Sequence, residues 1–132
     1  MRFTEHELTA ALHGAAKSVL AAQQRDVRKG RVAIDEVWES MDRYQRFQLL
    51  NLVGDQVLAA LVALPDVAVE PGTRPTFTDH QVAEAVEQTL GEVGGRLRRK
   101  AVVATRLALV RTALESLPPR TDPDALTVPD HL

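Results

Sequence analysis

Eight consecutive apolar residues, Val57 to Leu64, are closed at once by Pro65. Ala, Leu and Val dominate the chain, while glycine (7) and aromatics (4%) are sparse, so helices are favoured over strands. A helix that is apolar all round is buried all round. This segment is therefore expected at the centre of whatever the chain builds, and Ala101 to Val110, nearly as apolar, beside it. The remaining helices are expected outside these two. If four helices cannot cover both central ones, a second chain must, so the sequence predicts a homodimer.

Two helix starts share one signature. In Phe3-Thr4-Glu5-His6-Glu7-Leu8, Thr4 is a cap with Glu7 three residues on, and Phe3 and Leu8 can form a hydrophobic staple. Phe77-Thr78-Asp79-His80-Gln81-Val82 repeats each part. The first helix is expected from Glu5 to Lys29, burying Leu8, Ala11, Leu12, Ala15, Val19 and Ala22, with Gly30 as its left-handed stop. Asp35 reads as the next cap. From Glu36 to Leu64 the only breaker is Gly54, so one long helix is expected. Val37, Met41 and Tyr44 lie roughly opposite Phe47, Leu50, Val57, Leu61 and Leu64, which implies a kink between Tyr44 and Phe47 or burial on two sides. A third helix is expected over Asp79–Val93, broken by Gly94-Gly95, and a fourth over Arg96–Leu117, stopped by Pro118-Pro119.

The expected fold is all-α: a helical bundle of two hairpins, an insert after the first helix, and an extended proline-rich C-terminal tail. Residues 1–132 form one domain, with the first hairpin and its insert over 1–65, a linker over 66–77, the second hairpin over 78–118 and the tail over 119–132. Leu50, Val57, Leu61, Leu64 and Pro65 match Val103, Val110, Leu114, Leu117 and Pro118 at an offset of 53, and the two capping boxes match at 74. This suggests an internal duplication with roughly Asp26 to Arg46 inserted in the first half.

The 132 residues carry a net charge of −2, which excludes a globally basic nucleic-acid binder. With no cysteine there is no disulfide framework, thiolate zinc site or cysteine nucleophile. The pattern of a secretory signal and an apolar membrane span are both missing, so a cytoplasmic protein without membrane association is expected. Charge is uneven along the chain. Gln48 to Gly95 holds one base, Arg74, and seven acids, whereas Arg96 to Arg111 holds six bases and no acid. Bases at a helix N-terminus oppose its dipole, so either something anionic sits there, with Arg96, Arg98, Arg99, Lys100 and Arg106 as the candidate anion- or partner-binding residues, or the third helix continues through the glycines and these bases belong to its C-terminal part. Arg106 falls within the apolar arc of the fourth helix. An arginine there needs a partner: Asp26 is expected to pair with Arg99 or Arg106, the alternative being that Arg106 has no protein carboxylate and faces a small anion or an acidic partner.

No catalytic residue, metal site or cofactor is expected. Glu5-His6 and Asp79-His80 read as first-turn residues facing solvent, and His13 and His131 have no evident partner. Tyr44, Phe47, Trp38, Phe3 and Phe77 mostly read as structural. Glu36-x-x-Glu39-x-x-Asp42 and Glu84-x-x-Glu87 have a spacing similar to that with which helical nucleotide pyrophosphohydrolases hold Mg²⁺, which implies a metal-dependent phosphohydrolase. Glu84 and Glu87, however, point away from their helix's apolar stripe. The leading expectation is a non-enzymatic, self-associating interaction module with an unspecified protein partner. An anion- or nucleic-acid-binding regulator using the Arg96–Arg111 stripe comes second, and the phosphohydrolase third.

Overall fold

The computed structural model describes residues 1–120. It is all-helical, with no strand among the described residues: α1 (Glu5–Gln23), α2 (Arg25–Arg28), α3 (Ile34–Ser40), α4 (Arg43–Ala63), α5 (Asp79–Thr89) and α6 (Arg96–Glu115). The chain from 121 to 132, which holds most of the expected tail and His131, lies outside the described residues.

Both capping boxes form. Thr4 Oγ1 accepts from Glu7 N at 3.0 Å and Thr78 Oγ1 from Gln81 N at 3.1 Å, and each N3 side chain returns a bond to its cap. The caps have the same backbone within a degree, φ −72° with ψ 161° and 160°.

α4 and α6 each pack on α1 and α5 and also touch one another, but α1 is packed as extensively, on α3, α4 and α6. One core holds Ala11, Ala15, Ala16 and Leu20 of α1, Val53, Val57, Ala60 and Leu61 of α4, Val82, Ala85 and Val86 of α5, and Val110 and Ala113 of α6. Gly14 is where α1 meets the end of α6: a Cβ there would lie 2.3 Å from Ser116 Cβ, so only glycine fits this crossing. The insert after α1 folds back as α3, packs on α1 and buries Trp38.

Several boundaries differ from expectation. α1 stops at Gln23, because Gln24 turns extended, and α2 is a separate turn ending near Gly30 at φ 73°. The next helix starts on Ala33 without a side-chain cap, and Asp35 lies in its first turn. The long second helix is two helices, and the break is at Met41-Asp42 rather than between Tyr44 and Phe47. Asp42 caps α4: its Oδ1 accepts from Gln45 N at 2.7 Å, and Gln45 Oε1 accepts from Asp42 N at 3.1 Å. α5 ends at Thr89, ahead of Gly91 at φ 73°, and Gly95 at φ 79° precedes α6.

Arg120 closes the fold. Its backbone pairs with Thr73 of the linker, and its guanidinium reaches the first turn of α1. Nε donates to Glu7 Oε2 at 2.8 Å and Nη2 to Glu7 Oε1 at 3.0 Å, with a further bond from Nη2 to the Arg2 carbonyl. Both side chains are buried. No helix among the described residues is long and apolar enough to cross a membrane.

Candidate functional site

α4 is the element whose sequence demands more cover than the fold supplies. Its inner face, Val53, Val57, Ala60 and Leu61, is buried. The outer face keeps Tyr44 67%, Phe47 61%, Leu52 53%, Leu58 36% and Val62 63% exposed. At 100° per residue these five occupy an arc of roughly 140° opposite the buried side. Gln48, Asn51, Asp55 and Ala59, also exposed, lie between them. The expectation that Val57–Leu64 is buried all round is therefore corrected: α1, α5 and α6 cover one side of α4, and Leu58, Ala59 and Val62 face outward. Tyr44 and Phe47, read from sequence as structural, are exposed for the same reason. The part of α6 before Val110 is also less buried than expected, with Ala101, Ala104 and Ala108 exposed.

At the start of this face, His13, Trp38, Arg43, Arg46, Phe47 and Leu50 line a groove of about 360 Å³. The His13 ring lies 5.4 Å from that of Trp38, tilted by 56°. Lys17 Nζ sits 5.9 Å from the Trp38 ring centroid and bonds Asp35 Oδ1 at 2.9 Å. Burial, then the charges of Lys17 and Arg46, hold the His13 pKa below its ordinary value.

The basic residues of α6 divide. Arg98 and Arg106 line one groove of about 360 Å³ with Gln56, Ala101, Val102 and Thr105. Arg99 instead donates to the Gly91 carbonyl at 3.1 Å, satisfying the chain end that α5 leaves open. Arg96 and Lys100 are exposed at the start of the helix. None of the five has a carboxylate partner among the described residues. The expected pairing of Asp26 with Arg99 or Arg106 is absent: Asp26 belongs to α2, and its carboxylate lies 3.7 Å from Arg31. The buried ion pair that does form, Glu7–Arg120, joins two residues that sequence reasoning assigned to a capping box and to the tail. Glu7 sits four residues before buried Ala11, on the inner stripe of α1, and that position was a legible signal.

The chain matches no known protein family, no curated protein and no solved structure.

The carboxylates singled out for metal binding are dispersed in their tasks. Asp42 is the α4 cap. Glu84 faces His80 Nε2 at 3.6 Å and accepts from Gln88 at 3.4 Å. Glu36, Glu39 and Glu87 are exposed. Among the described residues no group of three or more His, Asp or Glu side chains converges to hold a metal ion. What the surface offers is apolar contact area on α4 and a two-arginine groove beside it.

Proposed function

We propose that the protein is a non-enzymatic helical interaction module that self-associates through the outer face of α4. The observation that carries this reading is the exposure of Tyr44, Phe47, Leu52, Leu58 and Val62 along one side of one helix. Exposed apolar residues scattered singly need no explanation, but five along one face of one helix mark a contact surface. Among the described residues, five of the six large exposed apolar side chains lie on this helix, and only Leu97 lies elsewhere.

Sedimentation equilibrium at micromolar concentration tests it. The expected mass is twice 14.5 kDa. Val62→Lys should return the protein to the monomer mass with helicity unchanged, because Val62 has no part in the core. A wild-type mass near 14.5 kDa at every concentration overturns the reading.

A second reading is supported by the convergence of Arg98 and Arg106 on one groove with Gln56 and Thr105. Two guanidinium groups with no carboxylate beside them among the described residues suit a small anion or a nucleic-acid phosphate. Phosphate should then raise the melting temperature of wild type and not of Arg106→Met. Equal behaviour of the two proteins in phosphate overturns it.

A further inference from the structure

The exposed strip of α4 carries its own register. Positions 44, 48, 51, 55, 58 and 62 are separated by alternating steps of four and three residues, the spacing of a seam between two helices. The same set is symmetric about Val53: 44 mirrors 62, 48 mirrors 58 and 51 mirrors 55. We propose that α4 pairs with α4 of a second copy in antiparallel orientation, about a two-fold axis at the level of Val53. This rests on the self-association reading above and adds its orientation and register.

The chemistry of the seam chooses between the two orientations. In a parallel pair each residue meets its own copy. Asp55 would then face Asp55 between Leu52 and Leu58, two carboxylates in a partly dehydrated contact. In the antiparallel pair Asn51 meets Asp55 of the second copy, and the contact occurs twice by symmetry. The Asn51 amide donates, the Asp55 carboxylate accepts, and a polar group at the middle of an apolar strip is satisfied and fixes register. Tyr44 meets Val62 of the second copy, and Phe47 meets Ala59, a large side chain against a small one.

The ends agree with the middle. Antiparallel helices set the positive N-terminus of one macrodipole beside the negative C-terminus of the other. Arg43, exposed at the start of α4, comes level with Ala63 of the second copy, three residues before its Asp66. The Asp66 side chain is 86% exposed, with its Oδ1 3.9 Å from the Met1 ammonium of its own chain, so a contact from Arg43 would add to that pair.

Because the chain has no cysteine, introduced thiols report the geometry alone. Gln48→Cys and Leu58→Cys are made as separate full-length proteins, mixed, and oxidised after exchange of subunits. The mixture should give a covalent dimer on a non-reducing gel, and each variant alone should give little. Two copies of position 58 would stand about 15 Å apart along the axis in this register, beyond the ~7 Å Cα separation a disulfide spans. Tyr44→Cys mixed with Val62→Cys is a second pair expected to behave alike, and sedimentation of each reduced mixture verifies that association survives. Efficient self-linking of Leu58→Cys means a parallel pair and overturns the proposal. A dimer by sedimentation in which neither mixed pair links uses another face, which also overturns it. A wild-type monomer overturns the self-association reading itself.

Discussion

Glu7 and Arg120 are 113 positions apart and form a bidentate, buried ion pair, with Arg120 Nε and Nη2 at 2.8 and 3.0 Å from the two Glu7 oxygens. The same Glu7 Oε1 accepts from Thr4 N at 2.9 Å, so one carboxylate closes a helix cap and anchors the end of the described chain. Removing one partner leaves a buried charge uncompensated. Glu7→Leu and Arg120→Met should each destabilise by about 3–5 kcal/mol, and the double variant by much less than the sum. Thermal or urea melts of the four proteins check this; additive losses would mean that the two side chains act independently.

Acid should act through the same pair. Burial pushes the Glu7 carboxyl up, but the hydrogen bonds and charge of Arg120 and the bonds of Thr4 outweigh it and hold it below the ordinary carboxylate value. A carboxyl with a depressed folded pKa contributes stability that is present above its unfolded value, about 4.3. That contribution is lost as pH falls through the folded value. The melting temperature of wild type should therefore drop below about pH 4.3 more steeply than that of Glu7→Gln. Parallel profiles would remove the linkage.

Much of the architecture was legible because local signals agreed. Thr4 with Glu7, and Thr78 with Gln81, each sit just before an apolar stripe of helical period, and both boxes form. The Asp42-Gln45 box was equally present in the sequence, yet it was hidden because no glycine or proline interrupts the chain between Gly30 and Gly54. Propensity permits a helix there; the cap decides against it. The stop at Gln24 has no comparable local signal. Exposure of Leu58 and Val62 could not be read from periodicity within Val57–Leu64, because a segment apolar all round has no preferred face. Only the number of available neighbours reveals which side stays open. The basic residues of α6 were found by composition, but their division between the Gly91 carbonyl and the Arg98–Arg106 groove depends on where α5 ends.

The Asp42 box gives a local prediction. Asp42→Ala removes the bond to Gln45 N and should cost about 1 kcal/mol. Thr78→Ala should cost a similar amount. Asp42→Ser should restore most of the loss, because its hydroxyl can accept the same bond. Chemical denaturation of the three variants measures this, and a neutral Asp42→Ala would mean that α3 and α4 do not need the cap to stay separate.

The α1–α6 crossing predicts the opposite of helix propensity. Glycine to alanine in a helix interior ordinarily stabilises by up to ~1 kcal/mol. At Gly14 the added methyl would fall 1.8 Å from Ser116 Oγ and 2.3 Å from its Cβ. Rotation of the hydroxyl relieves the first clash but not the second, so Gly14→Ala should destabilise by about 1–3 kcal/mol. Combining it with Ser116→Gly should recover most of that loss, whereas Ser116→Ala should not. A Gly14→Ala protein as stable as wild type would show that the two helices can separate here without cost.

His13 supplies the pH dependence expected nearer neutrality. Burial against Trp38 disfavours the imidazolium, and the charges of Lys17 and Arg46 disfavour it further, so the folded pKa lies below the ordinary value. Arg43 lines the same groove, and Asp35 is engaged by Lys17. With a depressed folded pKa, the unfolded chain takes up the proton first as pH falls. The stabilising contribution is thus present above the unfolded value, about 6.5, and is lost as pH falls through the folded value. The melting temperature of wild type should decline on acidification below about pH 6.5, and His13→Gln should flatten that slope even if the lost ring contact lowers its melting temperature overall. NMR titration of the ring separates the causes. Arg46→Gln should move the His13 pKa partway back towards the ordinary value, because it removes one charge while leaving the Trp38 contact in place. An imidazole that titrates at or above the ordinary value in wild type would mean that neither burial nor the neighbouring cations govern this residue.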